Sequence, residues 1–228
     1  MFSVASCFRE AQLQPVVVFL EKLLRSKPVI WTLLILPGLW PLWPLLVTRS
    51  PAAGADPLKL ILHHLGFIAC VLLATVLTFT PLRVLFPRWG VAFALNRHRR
   101  LVGVASFAYA LLHLTAYLMH EGGFRTLIHD AFEQPKFFIV AGLVAFTILL
   151  VLAVTSVNAL IRRLGGRRWK NLHRLVYVAA ALAVYHQIYA RKLFPVQVLW
   201  IFGPLGLLEI ARVIRQQQTA GGRVKPAG

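Results

Sequence analysis

Six apolar runs, with charge confined to the short stretches between them, constrain this chain more than any other feature. A helix needs about 20 apolar residues to cross a bilayer. The runs are Pro28–Val47, Leu58–Thr80, Leu101–Met119, Phe137–Ile161, about Leu172–Tyr189 and about Val196–Ile214. Backbone polar groups in lipid must be satisfied within the segment or in a closed barrel. These runs are too long and too evenly apolar for barrel strands. The expected fold is therefore all-α: a polytopic membrane protein, a bundle of six transmembrane helices over residues 28–215. Pro37, Pro41 and Pro44 are expected to kink or shorten the first span.

Only 14% of residues are charged, with a net charge of +18 and a mean hydropathy of +0.71. A soluble domain carries about a quarter charged residues. A nucleic-acid binder needs a basic face on a soluble fold, and no stretch here is long enough to make one, so membrane lipid is the expected surrounding. The positive charge marks orientation instead. Arg83, Arg88, Arg97, Arg99 and Arg100 lie between spans two and three. Arg162, Arg163, Arg167, Arg168 and Lys170 lie between four and five, and Arg212, Arg215, Arg223 and Lys225 are at or beyond the end of span six. The alternate loops are leaner, which predicts a multi-pass protein with both termini cytoplasmic, residues 216–228 forming a cytoplasmic tail. Residues 1–27 read as an amphipathic or disordered extension. Their Val16–Leu20 core is too short, and followed by too much charge, for a secretory signal.

Cys7 and Cys70 lack the spacing of a zinc, dithiol or iron–sulfur site. No CxxCH is present, so any haem is held non-covalently. The chemistry therefore falls on the eight histidines. His129 sits among charged loop residues and reads as solvated, while His120 reads as interfacial. His113 lies thirteen residues beyond Arg100, and His186 twelve beyond Arg174. At the helical rise these depths are about 20 Å and about 18 Å. Spans three and five run in the same direction, so both imidazoles reach one level, where they can fill both axial positions of one haem iron. Such iron suits electron transfer, because no position stays open for oxygen.

His173 lies about 20 Å below His186 along its helix. It and His98, at the foot of span three, are candidates for a second haem. On an ideal helix His173 and His186 are about 140° apart in azimuth, so they need not face one cavity. His63 and His64 begin span two near the level of His113, as a ligand, a quinone partner, a proton carrier or an interfacial pair. Arg97, Arg99, Arg100, Lys170 and Arg174 at one edge, and Arg191 and Lys192 at the other, are cations available to haem propionates.

Several motifs together resemble the MsrQ (YedZ) family of the ferric-reductase-like transmembrane group. They are Gly54-Ala55-Asp56-Pro57, Thr80-Pro81-Leu82-Arg83, Arg99-Arg100-Leu101-Val102-Gly103, Leu112-His113-Leu114-Thr115-Ala116-Tyr117 and Trp169-Lys170-Asn171-Leu172-His173-Arg174-Leu175-Val176-Tyr177. The resemblance implies that His113, His173 and His186 match the family's functional histidines. It implies one or two b-type haems, electrons from the quinone pool, and delivery to a periplasmic molybdopterin methionine sulfoxide reductase, MsrP, that repairs oxidised periplasmic proteins. It also implies a bacterial inner-membrane location and an association with flavin mononucleotide (FMN).

Only a short polar stretch follows span six, and no Gly-rich nucleotide fingerprint is present. Electrons are therefore expected from a lipid-soluble carrier or a separate protein, with sulfoxide reduction on the partner. A proton-coupled transporter using the buried histidines is the alternative. Such pathways usually carry membrane-embedded carboxylates, and spans one to five have none inside them. A subunit that merely anchors a partner would leave the buried histidines without a purpose.

Overall fold

The structure, a computed structural model, describes residues 17–47, 55–191 and 195–221. Among the described residues the elements are α-helices joined by turns and two π-turns. Helix α1 covers 17–25, α2 Lys27–Leu39, α3 Pro57–Leu85, α4 Gly90–Arg97, α5 Arg99–His120, α6 Phe124–Ile128, α7 Phe137–Val154, α8 Asn158–Leu164, α9 Gly166–His173, α10 Leu175–Tyr189 and α11 Val196–Gly221. The π-turns are Trp43–Val47 and His129–Glu133. Most of the proposed N-terminal extension, the end of the tail and Lys192 lie outside the described residues.

The all-α, membrane-spanning character stands, but the count of six long spans does not carry over directly. Among the described residues four helices are long and apolar enough to cross a membrane: Pro57–Leu85, Arg99–His120, Phe137–Val154 and, within α11, Val196–Thr219. The proline-rich first run gives a 13-residue helix, α2. Proline lacks the N–H that continues the ladder, and α2 passes through Pro37 into a turn at Trp40 and Pro41 and then a π-turn. The fifth run gives a 15-residue α10. That is about 22 Å of helix against a hydrocarbon core of about 30 Å, and a break at Arg174 separates it from α9.

Two helix pairs form the bundle. Helix α3 packs along α5, and α7 along α10; α5–α7 and α3–α10 contacts close the square, while α11 lies outside against α3. The buried stripe of α5 is Val102, Ser106, Tyr109 and Ala116. This four-three spacing keeps side chains on one face of a helix, and His113 falls on the same stripe. Leu73, Ala74, Leu77 and Phe79 of α3 pack against Val102 of α5, Leu149 of α7 and Ala179 of α10 in the central core. The outer sides of α7 and α11 carry exposed Val144, Val151, Trp200, Leu207 and Ile210, as lipid-facing surfaces do.

Polar side chains on α5 join it to its neighbours through backbone carbonyls. Ser106 donates to Ala69 O at 2.9 Å, and Tyr109 to Leu34 O at 2.6 Å. Leu34 O is open to a second donor because the residue one turn on is Gly38. A Cβ there would run into the Tyr109 ring. At the foot of α5, Arg100 donates to Asn158 Oδ1 and to Ser156 O, holding the α7–α8 turn. Tyr109→Phe keeps the ring and removes the bond, so it should lower stability by about 1 kcal/mol. A thermal melt of the detergent-solubilised protein, with helix content followed in parallel, should show a lower midpoint with an unchanged starting signal.

Candidate functional site

The two pairs enclose a cavity of about 620 Å³ that runs from the core to the end of the bundle carrying Asp56, His120 and Arg191. Its walls are made by small residues on all four helices: Gly66, Ala69 and Cys70 on α3, Ala110 on α5, Gly142 and Ala145 on α7, and Ala183 on α10. Small side chains facing one another leave a slot between helices that larger ones would fill. Leu73, Phe146 and Leu149 line it toward the core. This volume is in the range of cofactor sites, about 300–1,000 Å³.

His113 and His186 meet in this cavity. Their ring centroids are 6.1 Å apart and the ring planes stand at 85°. His113 Nδ1 lies 2.9 Å from Leu62 O, and His186 Nδ1 lies 2.7 Å from Phe138 O. A carbonyl can only accept, so in each ring Nδ1 carries the proton and Nε2 keeps its lone pair. Neither Nε2 has a hydrogen-bond partner among the described residues. A hydrogen bond from one ring nitrogen that fixes the tautomer and frees the other is the usual setting of a metal-binding imidazole.

The two carbonyls are available for the same local reason. Each already accepts its own helix bond from the residue four positions on, and that residue is Gly66 for Leu62 and Gly142 for Phe138. A Cβ would stand 2.8 Å from His113 Nδ1 at Gly66, and 2.7 Å from His186 Nδ1 at Gly142. These are the closest atoms it would meet, so any side chain there would push the imidazole off its carbonyl. Glycine is placed here for close approach rather than for its backbone freedom.

The arrangement fits an iron porphyrin better than a bare ion. Imidazole–metal bonds are about 2.0 Å; two of them end to end, with the two ring radii added, place the centroids about 6 Å apart. A bare ion commonly takes four ligands, and no three His, Cys, Asp or Glu side chains cluster for one among the described residues. A porphyrin supplies four nitrogens of its own, needs two axial ligands, and is flat enough for a slot walled by glycine and alanine.

The other histidines are placed differently. His63 is exposed and lines the same cavity toward its mouth. His64 turns toward α2: its Nε2 is 2.6 Å from Pro37 O, and its ring stacks on Trp40 at 5.3 Å. Pro37 O takes the Trp40 N–H at 3.3 Å and has room for the ring because Pro41, one turn on, has no N–H to give it. His98 is buried at the start of α5 with no hydrogen-bond partner for Nε2. His173 lies against Trp169 with centroids 4.0 Å apart; Nδ1 is 3.1 Å from Trp169 O, and Nε2 is 3.4 Å from Ser156 Oγ. Among the described residues no ring contact joins His98 to His173, so those two are not presented to one another as His113 and His186 are.

Polar groups missed at the sequence level ring the mouth. Asp56 caps α3 by accepting from the Lys59 N–H at 3.0 Å, and its other oxygen is 3.0 Å from His120 Nε2. The backbone N–H of Lys59 first, then His120, hold the Asp56 carboxyl below its ordinary range. Asp130 is buried and paired with Lys136 at 2.7 Å. Lys136 first, then His129, hold its carboxyl low. At the sequence level Asp56 appears only within the Gly54-Ala55-Asp56-Pro57 motif.

Gly66→Ala and Gly142→Ala should each displace one imidazole. Haem added to either variant should shift from six-coordinate low-spin toward five-coordinate high-spin, read from its Soret and α bands. Gly103→Ala on α5, with open space around it, should leave the bands alone.

The ferric reductase like transmembrane component model matches residues 65–184, which contain His113 and His173 and stop two residues short of His186. Similar curated proteins carry one description, "Protein-methionine-sulfoxide reductase heme-binding subunit MsrQ". The Herminiimonas arsenicoxydans protein is 41% identical over 143 residues, covering 62% of this chain and 63% of that protein. That of Brucella anthropi is 36% identical over 188 residues, covering 82% of each. The Brucella ovis protein is 38% identical over 176 residues, covering 71% of this chain and 76% of its own. The chain belongs to the MsrQ family of ferric-reductase-like transmembrane proteins.

Proposed function

We propose that this protein is a membrane electron-transfer subunit holding haem b between His113 and His186. The observation that carries the proposal is the pair of imidazoles with centroids 6.1 Å apart, each tied at Nδ1 and without a partner at Nε2 among the described residues, in a slot of cofactor size. Support for haem as the occupant comes also from the relatives described as heme-binding subunits. Haem with both axial positions filled by imidazole supplies one-electron exchange without an open site for oxygen.

The chain's residues provide the rest. Leu62 O and Phe138 O orient the rings, and the glycines below them let the rings approach. Leu73, Phe146 and Leu149 keep the inner end of the slot apolar, which lowers the local dielectric. In our reading the arginine-rich end faces the cytoplasm, because basic loops are retained there. The mouth then opens to the periplasm, and both termini are cytoplasmic in an inner-membrane protein. Electrons would come from the quinone pool and leave for a separate methionine sulfoxide reductase of the MsrP kind, consistent with the relatives' description. His98 and His173 are the residues we assign to a second haem near the inner face, should the stoichiometry require one. FMN has no assigned residues.

Transport is the weaker reading. The carboxylate on α11, Glu209, is engaged by Arg212 at 2.8 Å and by Tyr177 at 3.1 Å. It does not line the cavity.

Purified protein should show a bis-imidazole haem spectrum, and His113→Ala or His186→Ala should abolish it. His64→Ala should retain it, because that ring serves Pro37. A colourless wild type, or a spectrum indifferent to both ligand variants, would reject the proposal. For orientation, single cysteines at Arg125 and Arg163 should react with an impermeant maleimide from opposite sides, the first in intact spheroplasts and the second only after lysis.

A further inference from the structure

The mouth of the cavity carries two cations, one on α3 and one just past α10. Lys59 on α3 and Arg191 after α10 both line it, and neither side chain has a hydrogen bond or ion pair among the described residues. The carboxylates in the same lining are already matched: Glu121 with His120 at 2.8 Å, and Asp130 with Lys136 at 2.7 Å. Lys59 and Arg191 are therefore the cations of the lining that stand outside any carboxylate pair, although Asp56, which shares His120 with Glu121, feels the charge of Lys59. Both cations act electrostatically on His63, which stands at the same opening. These cations also sit at the end of the bundle that the basic-loop pattern leaves lean, so the rule that explains the arginines of the other end does not explain them.

A third polar group points the same way. Gln187, one residue past His186, is 9% exposed and lines the cavity, and its Oε1 has no hydrogen-bond partner. A buried amide oxygen without a partner is unfavourable, and such a group calls for an explanation. Turned about its terminal bond, the amide presents N–H donors at the same place.

We infer that Lys59 and Arg191 form a two-cation clamp for the paired carboxylates of the haem, with the Gln187 amide beside them, so that the haem's acidic edge faces the mouth. This rests on the haem reading above. Haem b carries both carboxylates on one edge, on flexible two-carbon stems. Lys59 is seven residues before Gly66, and Arg191 is five past His186. Both are therefore about one to two helical turns from the level of the imidazoles, where that edge would lie. Charge-assisted bonds to carboxylate are the strong kind, and arginine can make two at once. The clamp chooses between the two ends of the slot: the acidic edge sits at the mouth, and the apolar edge goes inward against Leu73 and Leu149. The clamp residues are positioning groups; they neither ligate iron nor exchange electrons.

The test compares protohaem with its dimethyl ester, which has the same ring and no carboxylate charge. Apo wild-type protein in detergent should bind protohaem at least tenfold more tightly than the ester. Lys59→Gln/Arg191→Gln should lose that preference while keeping the bis-imidazole spectrum. In spectroelectrochemical titration the double variant should shift the ferric/ferrous ratio at fixed potential about tenfold toward ferric, which is about 59 mV for one electron. The propionate bending band in resonance Raman should move with it. Lys59→Arg/Arg191→Lys should restore the preference, and Arg125→Gln, an exposed cation outside the cavity, should change nothing. A wild type that binds haem and ester equally would overturn the clamp, and that comparison needs no variant to fold. So would a double variant with the wild-type potential and Raman band. Failure of wild-type protein to bind either ring would instead reject the haem site itself.

Discussion

Two hydrogen bonds, His113 Nδ1 to Leu62 O and His186 Nδ1 to Phe138 O, hold the centre of this protein in register. Each does three things at once. It satisfies a polar ring in an apolar surrounding, where an unpaired group is expensive. It selects the tautomer that leaves Nε2 open. It also ties a helix to its partner, α5 to α3 and α10 to α7, so the spacing of the rings is set by the packing of the two pairs. Loss of either bond would free a ring to rotate and would remove one of the contacts that keep the slot at its width.

The device is repeated, which argues against accident. Tyr109 reaches Leu34 O past Gly38, as His113 reaches Leu62 O past Gly66 and His186 reaches Phe138 O past Gly142. In all three a glycine one turn beyond the acceptor removes the Cβ that would block a second donor. His64 uses a variant in which Pro41 leaves Pro37 O short of its helix donor. A bundle built for lipid cannot rely on hydrophobic burial to choose partners, since lipid tails are as apolar as leucine. Shared carbonyls of this kind give the helices specific neighbours.

Much of this was legible in the sequence, and the boundary is physical. Counting from the basic clusters at 1.5 Å per residue placed His113 and His186 at one level, because helix rise is a local property. The carbonyl partners were not legible: Gly66 and Gly142 look like ordinary membrane-helix glycines until α3 is known to lie on α5 and α7 on α10. His64 and His63 are adjacent in sequence, yet one faces α2 and the other the cavity, a difference set by helix azimuth and by the path of a segment that Pro37 and Pro41 break. The same prolines, expected from the sequence to kink or shorten the first span, leave a 13-residue helix there.

The angle between the imidazole planes gives the account its sharpest exposure. Rings fixed by carbonyls on two different helices stand at 85°, and a haem held between them with those two hydrogen bonds intact would keep that crossing. Low-temperature electron paramagnetic resonance of the oxidised, purified protein reads it directly. The expected result is the highly anisotropic low-spin signal of near-perpendicular axial imidazoles, lost in His113→Ala and His186→Ala. A rhombic signal of parallel rings, or a high-spin signal in the wild type, would contradict the geometry on which the electron-transfer role depends.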